Sequence, residues 1–427
     1  MMRLCFKQAW ASIRENRLMS ALMIMGTTLS AAMLLVLVQF YIVRTSAYAP
    51  VSGRDRMLYV TGVQADMMKI DETGQKIPTG RRWMDALGVP LVRQVFEELK
   101  MPEAVAVMSA GVNPVHLSSP GLKEGNEFVQ RLTNTAFWQV FDFSFVSGRA
   151  YDEAAFQGAL RQAVLTEDVA RKLFGTADVA GRTLLVDYVE YTVCGVVKPV
   201  SEAVPEVYGQ IFIPYTCDTE KMAEINAGGV CGNLHVCLLA ASKADFGMIR
   251  EEVAQAINRY NANLPEWQAY LFEQPHTATQ HMFQRWYEEK FNGLFSGMLC
   301  LALLFFFLPV LNLLGLAFSQ VGKRQPEIGL RKAFGATSLR IVVQMLCESL
   351  IVTAIGCLLG QCLSVLFFWL TKDSLLERTD VIVTADMLFT PWLLPVALLI
   401  CFFINFLSVG IPSWCISRRQ IVETLNA

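Results

Sequence analysis

Lys323–Gly360 reads KRQPEIGLRKAFGATSLRIVVQMLCESLIVTAIGCLLG and joins two kinds of structure in one run. Its second part, from Ile341, continues as an apolar stretch to Leu370, with Glu348 the only acidic residue well inside it. A bilayer is crossed by about 20 mostly apolar residues in a helix, so this part reads as a membrane span. The first part reads as a short helix. Pro326 suits a first turn, where its missing N–H costs nothing. Glu327 favours the positive helix N-terminus, and Glu327 and Arg331 stand in the favourable i,i+4 order. Leu330, Ala333, Phe334 and Thr337 share one stripe, with Arg331 and Lys332 off it. Such a helix either rests on lipid or docks its apolar stripe in a partner's groove. Within the span, Gly356 and Gly360 form a Gly-x-x-x-Gly pair extended by Ser364, small residues that admit a close second helix.

Working outward, three further stretches qualify as spans: Leu18–Val43, Gly293–Phe318 and Pro391–Ile411. In the first, Gly26 and Ser30 offer another small-residue face. Ala47-Tyr48-Ala49 resembles a cleavage site, but the apolar run before it far exceeds the ~7–15 residues of a signal core, which favours an uncleaved anchor. Lys and Arg near the span ends set orientation. They gather before span one (Arg3, Lys7, Arg14, Arg17), between spans two and three (Lys323, Arg324, Arg331, Lys332, Arg340) and after span four (Arg418, Arg419). The loop between spans three and four has only Lys372 and Arg378 against Asp373, Glu377, Asp380 and Asp386. Both termini and the middle loop are thus expected in the cytoplasm. The expected fold class is a membrane protein with four transmembrane α-helices and a large mixed α+β extracytoplasmic domain between helices 1 and 2. Its segments are 1–17 entry helix, 18–43 span one, 44–285 outer domain with stalk ends, 293–318 span two, 319–340 cytoplasmic helix, 341–370 span three, 391–411 span four and 412–427 tail.

Composition agrees: 53% of the 427 residues are hydrophobic and 17% charged, against about a quarter charged in soluble domains. That excludes a disordered chain. A net charge of -2 gives no field for nucleic acid. No internal repeat of the kind common in secondary transporters is apparent.

In the outer domain, Thr183–Val186 and the β-branched end of Asp187–Val197 suggest a hairpin turning near Tyr188. Ala163–Leu165 is a strand candidate, with Thr166 placed to cap a helix through Asp168–Phe174 that Gly175 ends. Gln210–Pro214 and Leu234–Ala240 read as strands. Asp245–Tyr260 reads as an amphipathic helix through Ile249, Val253 and Ile257. Cys194, Cys217, Cys231 and Cys237 lie here. Two readings stand: buried free thiols, or one or two disulfides, Cys231–Cys237 first among them. His116, His235, His276 and His281 show no metal-ligand spacing, so no metal site is expected. No catalytic residues are assigned. The only Gly-Lys pair, Gly322-Lys323, is followed by Arg324 and lacks the upstream glycine of a phosphate-binding loop, so ATP hydrolysis by that route is not expected. No Gly-x-Ser-x-Gly elbow is present either.

EIGLRKAFGAT with Gln344, Glu348 and the glycine pair resembles the third-span region of the FtsX-like permeases, the membrane subunits of MacB-type ABC transporters. FWQVFDFSFVSGR (137–149), AVLTEDVARKLFG (163–175), Ala180-Gly181-Arg182 and YTVCGVVKPV (191–200) resemble blocks of the MacB-like periplasmic domain. FKQAWASIRENRLMSAL (6–22) resembles the family's entry helix, and Pro412 with SRRQIVETL (417–425) its closing segment. One departure is the absence of a fused ATPase domain, so the chain looks like a stand-alone permease. Another is Pro326 in place of a frequent charged residue before Glu327.

The resemblance implies an inner-membrane location and a second permease subunit, identical or paralogous. It implies a separate ABC ATPase subunit holding ATP and Mg, with no cofactor bound by this chain. A periplasmic adaptor, an outer-membrane duct and membrane lipid complete the implied partners. It also implies mechanotransmission: a coupling helix carrying Glu327, Ile328, Leu330, Arg331, Lys332, Ala333, Phe334 and Gly335 passes ATPase motion to the spans. Helical extensions near Val43–Val51 and His281–Asn292 pass it to the outer domain. Export of a peptide, toxin or antibiotic-like molecule is the leading function. Lipoprotein extraction and signalling to a cell-wall hydrolase are the alternatives, and the large outer domain weighs against the last.

Overall fold

The computed structural model describes residues 17–45, 49–72, 75–119, 125–200, 204–218, 227–281 and 337–375, with single positions 14, 330, 395, 399, 402, 403 and 406. The chain divides into two compact units: Met1–Arg44 with Lys290–Leu375 and Ile382–Ala427, and Thr45–Glu289 with Leu376–Val381.

The first unit is described through two helices, α1 (Arg17–Thr45) and, at the other end of the chain, α4 (Ser338–Leu375). Within α4, Ser349–Phe367 is long and apolar enough to cross a membrane, 19 residues with a mean hydropathy of 2.2. In α1 the apolar part is shorter, Ser20–Met33, so among the described residues α4 alone has a helix long and apolar enough to cross a membrane. Both helices are apolar on their outward faces as well: Leu18, Leu22, Met25 and Leu29 on α1, and Leu359, Leu363, Leu366 and Leu370 on α4, are exposed. A helix apolar on all sides belongs in a protein core or in lipid. These helices occupy the expected first and third spans. The second, 293–318, lies outside the described residues, and the fourth is described only at 395, 399, 402, 403 and 406.

The second unit is built on a mixed sheet. Its strands are β1 (Met57–Val60), β2 (Val63–Ile70), β3 (Lys76–Leu87), β4 (Ala104–Ser109), β5 (Asn113–Ser118), β6 (Asn126–Thr133), β7 (Phe145–Gly148) and β8 (Gln162–Thr166). There follow β9 (Thr183–Val186), β10 (Val189–Val197), β11 (Ile211–Pro214), β12 (Cys231–Gly232), β13 (Leu234–Leu239), β14 (Trp267–Tyr270) and β15 (His276–Thr277). The order across the sheet is β11-β8-β10-β9-β5-β6-β4-β13-β3-β2-β14, with β1 on β13 and β15 on β1. Two helices, α2 (Glu167–Phe174) and α3 (Phe246–Asn263), pack on it.

Strand alternation assigns the two faces. Leu58 and Val60 of β1, Val107 of β4, and Val236 and Leu238 of β13 enter one core with Val169 of α2 and with Ile249, Val253 and Ile257 of α3. The residues between them, Met57, Tyr59, Ala106, Met108, Cys237 and Leu239, enter a second core around Phe137, Phe141 and Phe212. Helices cover one face of the sheet and an aromatic cluster the other.

The hairpin expected near Tyr188 is present, with β9 paired to β10 and both Asp187 (φ +46°) and Tyr188 (φ +67°) left-handed. Two positive φ values at the tip match the twist of the flanking strands. Gly175 ends α2 in the left-handed region, as the sequence predicts. Thr166 stands at the helix start, but its side chain does not cap it; the hydroxyl donates to the carbonyl of Gln210, the residue before β11, at 3.2 Å. Gly148, the glycine of the FWQVFDFSFVSGR motif, sits at φ +66° opposite Gly195, and a Cβ there would fall 2.3 Å from the Cys194 carbonyl. Only glycine allows β7 to approach β10 so closely.

The disulfide reading is corrected: Cys194, Cys217, Cys231 and Cys237 are all free thiols. Cys231 lies in the helix-covered core and Cys237 in the aromatic one, so β12 and β13 hold them on opposite faces of the sheet. Burial raises the Cys231 thiol to about 11 and the Cys194 thiol to about 12, and pushes Cys237 up as well. Since the thiolate is the reactive form, these three cysteines should resist maleimide in the native full-length chain at pH 7. They should label in denaturant without reductant, as read by peptide mass spectrometry. Cysteines that label only after reduction would show a disulfide instead.

Candidate functional site

The chain enters and leaves the second unit through the aromatic core. Val51, at the entrance, is buried in it, and the Pro50 carbonyl accepts from the Asp142 amide at 2.8 Å. Asp142 lies in the FWQVFDFSF motif, whose Phe137 ring contacts Trp138, Phe141, Phe143 and Phe212 at centroid distances of 4.8–5.9 Å. Such contacts add about 0.5–1.5 kcal/mol each beyond burial.

At the exit, β15 pairs with β1, Thr277 opposite Leu58 and His276 opposite Tyr59. The Gln274 side chain accepts from the Thr61 amide and donates to the Gly62 carbonyl, both at 2.8 Å. A helical turn starts at residue 278. The Thr277 hydroxyl accepts from the Gln280 amide at 3.3 Å, and the Gln280 side chain accepts from the Thr277 amide at 3.0 Å. This reciprocal arrangement is a capping box. Ala278 packs against the aromatic core. Arg250 of α3 donates to the Pro275 carbonyl at 3.0 Å.

His281 fixes the first turn of this helix. Its ring stacks on Tyr59 at 4.8 Å and 16°, and its Nε2 lies 3.1 Å from Glu206 Oε1. Both side chains of that pair are largely buried, at 9% and 14% exposure. Burial, with the neighbouring Cys237 thiol and Glu206 carboxylate, holds the Tyr59 phenol well above its ordinary range, so Tyr59 stays neutral. Glu206 is held in turn by its own segment. Buried Arg131 of β6 donates to the carbonyls of Pro205 and Tyr208 on either side of it, and to Ser109 of β4. Backbone carbonyls satisfy the guanidinium, which would be costly to bury unpaired. A relay of β6, the 205–208 segment, His281 and Tyr59 thus ties the leaving helix to the strand that begins the unit. Among the described residues no group of three or more His, Cys, Asp or Glu could hold a metal. The arrangement fastens both ends of the unit, at Val51 and at His276–His281, to the sheet.

In the first unit, α4 lies directly on α1. A Cβ at Gly356 would fall 2.0 Å from Thr27 Oγ1, and one at Gly360 would fall 2.8 Å from Ala31 Cβ and 2.9 Å from the Thr28 carbonyl. Ser364 is buried and donates to the Gln361 carbonyl at 2.9 Å. The α1 residues met by the two glycines are Ile24, Thr27, Thr28, Ala31 and Ala32; Gly26 is half-buried, and Ser30 lies within α1. Of the coupling-helix residues, Leu330 is helical and 56% exposed. Glu327, Ile328, Arg331, Lys332, Ala333, Phe334 and Gly335 lie outside the described residues.

Sequence reasoning took His281 for the start of a stalk and missed Tyr59, Glu206 and Gln274. Glu206 and His281 are 75 residues apart and share no motif. The Thr-x-x-Gln pattern at 277–280 was the one signal available, since it marks a helix start.

Two family models match the chain in order: a MacB-like periplasmic core domain over residues 20–256 and an FtsX-like permease C-terminal domain over 299–421. The chain belongs to the family of FtsX-like ABC transporter permeases with a MacB-like periplasmic core domain. It is therefore a membrane permease with a periplasmic domain. The pyoverdine export ATP-binding/permease protein PvdT of Pseudomonas syringae pv. syringae (strain B728a) is 22% identical over 361 residues, 83% of this chain and 50% of that protein. The macrolide export ATP-binding/permease protein MacB of Marinobacter nauticus is 24% identical over 357 residues, 83% of this chain and 51% of that protein. An uncharacterized ABC transporter permease, YknZ of Bacillus subtilis (strain 168), is 22% identical over 227 residues, covering 53% and 54%. The chain spans about half the length of the curated relatives it matches. Among solved structures, the periplasmic region of MacB from Actinobacillus actinomycetemcomitans aligns with a TM-score of 0.36 at 10% identity, over 55% of this chain and 94% of that one.

Replacing His281 with Ala removes the stack and leaves Glu206 without this partner. Unfolding of the full-length chain in detergent should need about 1–3 kcal/mol less, the usual cost of a lost buried hydrogen bond. His116→Ala, on an exposed histidine, should change it by less than about 0.5 kcal/mol. Equal effects of the two substitutions would mean that His281 anchors nothing.

Proposed function

We propose that this chain is the permease subunit of an export transporter that turns ATP-driven motion in the cytoplasm into motion of its periplasmic domain. The observation that carries the reading is the fastening of both chain ends, residues 50–60 and 274–281, into one face of the periplasmic sheet. A displacement delivered at either end must then move the sheet as a body rather than unravel its edge. The order of the two matched domains supports the same reading.

In this account both termini and the segment between the second and third spans lie in the cytoplasm, and the protein crosses the inner membrane four times. The segment from Glu327 to Gly335 docks on an ABC-type ATPase, a separate subunit that binds ATP and Mg. Leu330 and Phe334 supply apolar contact; Glu327 and Arg331 anchor it through charge. Two permease subunits pair, and the Gly356/Gly360 face sets how closely α4 packs on α1. A periplasmic adaptor and an outer-membrane duct receive the cargo. The names of the relatives, exporters of pyoverdine and of macrolides, support export of a secreted molecule over lipoprotein extraction or signalling.

Phe334→Asp places a charge in the apolar stripe and should uncouple the two halves. In reconstituted membranes the ATPase should keep its basal turnover and lose the stimulation that accompanies transport by about tenfold, the cost of burying one charge against an apolar groove. Transport-linked ATPase activity equal to the parent's would count against the docking assignment.

A further inference from the structure

Eleven cysteines are spread along the chain. Among the described residues Cys194, Cys217, Cys231, Cys237, Cys347 and Cys362 carry free thiols. Cys357 differs from them, because it is disulfide-bonded. It is buried in α4, near the middle of the apolar stretch Ser349–Phe367. Its chain neighbour Gly356 is the glycine that rests on Thr27 of α1. The partner sulfur therefore comes from one of the four remaining cysteines, Cys5, Cys300, Cys401 and Cys415. These lie outside the described residues, so their depth along the expected spans decides between them.

A disulfide holds its two Cα atoms about 4.4–6.8 Å apart, so both cysteines must lie at nearly one depth in the bilayer. Cys5 falls in the entry helix before the first span and Cys415 in the tail after the fourth. Each is then roughly 15 Å or more from the middle of the hydrocarbon. Cys300 stands in the outer half of the span 293–318, ~8 Å from its middle at the rise of an α-helix. Cys401 is the central residue of the span 391–411, level with Cys357. The setting favours the bond. A disulfide asks for no hydrogen bond, and the charged thiols that reduce disulfides in a cytoplasm do not enter hydrocarbon.

We propose that Cys357 and Cys401 are joined by a disulfide in the middle of the membrane, tying α4 to the fourth span. The bond forms from two thiols and a lipid-soluble two-electron oxidant of the quinone class. Two S–H bonds break, one S–S bond forms, and both protons and both electrons pass to the quinone, which becomes the quinol. The proposal rests on the reading of the chain as a four-span permease and deepens it. The segment Glu327–Gly335 leads directly into α4. Motion received there reaches α1 through the contacts of Gly356 and Gly360, and the fourth span through the disulfide, so the three helices move as one body.

The test uses the full-length chain in native membranes, denatured with N-ethylmaleimide and without reductant, then mapped by peptide mass spectrometry. A peptide pair joined through Cys357 and Cys401 is expected, with Cys347 and Cys362 alkylated. Cys401→Ser should turn Cys357 from unlabelled to fully labelled, and Cys300→Ser should leave it unlabelled. A protease site placed between Leu376 and Val381 gives a second reading. The two fragments should run as one band after cleavage and separate only on reduction. Cys357 alkylated in the unsubstituted chain, a pair joining it to any other cysteine, or fragments that part without reductant would each overturn the proposal. The four-span reading is checked apart from the bond. An impermeant maleimide applied to intact cells should label Thr379→Cys, expected outside, and leave Asn426→Cys, expected inside, unlabelled. Equal or reversed labelling would overturn that reading and the proposal with it. The expected labelling together with a free Cys357 would overturn the disulfide alone.

Discussion

The aromatic core built on Phe137 is the constraint on which the periplasmic unit depends. It covers the sheet face that the helices leave bare, and it closes over the residues where the chain comes in and goes out. Burying one such ring fully contributes about 1.5–3 kcal/mol. Phe137, Phe141 and Phe212 are each fully buried, so the joint is as firm as the domain's own centre. Loops at chain ends are ordinarily the first part of a domain to open. Here they are built into its middle layer.

The polar contacts around that core act as a set. Gln274 bonds the exit segment to the turn after β1, Thr277 and Gln280 start the leaving helix, and His281 meets Glu206 and Tyr59 at the end of its first turn. Arg131 reaches all this from β6 by gripping the carbonyls beside Glu206. Each of these contacts removes a direction in which the first turn of the leaving helix could slip relative to the sheet.

Much of the fold was legible where local chemistry decides it. The β-branched run of Val189–Val197, the amphipathic spacing of α3 and the glycine after α2 each dictate an element through neighbours within a few residues. The apolar lengths of α1 and α4 were legible for the same reason. Strand β3 was not: KIPTGRRWMDAL lacks the alternation of a half-buried strand because both of its faces are exposed. The choice between free thiols and a Cys231–Cys237 disulfide stayed open in the sequence because closeness in sequence says nothing about faces; six positions apart, Cys231 and Cys237 fall on opposite sides of one sheet. The anchor of His281 was hidden because its partners come from β1 and the 205–208 segment, brought together only by the long-range order of the sheet. The Gly356 and Gly360 pair was visible as a pattern, but its partner surface on α1 was not, since many small residues of that helix would serve equally well by composition.

The central claim is that the entering strand and the leaving turn belong to the same cooperative unit as the sheet. Native-state hydrogen exchange on the full-length protein measures this directly, since each amide reports the free energy of the opening that exposes it. The account predicts that amides of β1 and β15 exchange with the same opening free energy as those of β13, within about 1 kcal/mol. Exchange of the β15 amides through an opening several kcal/mol easier than that of β13 would show the exit to be a loose end, and would contradict the account.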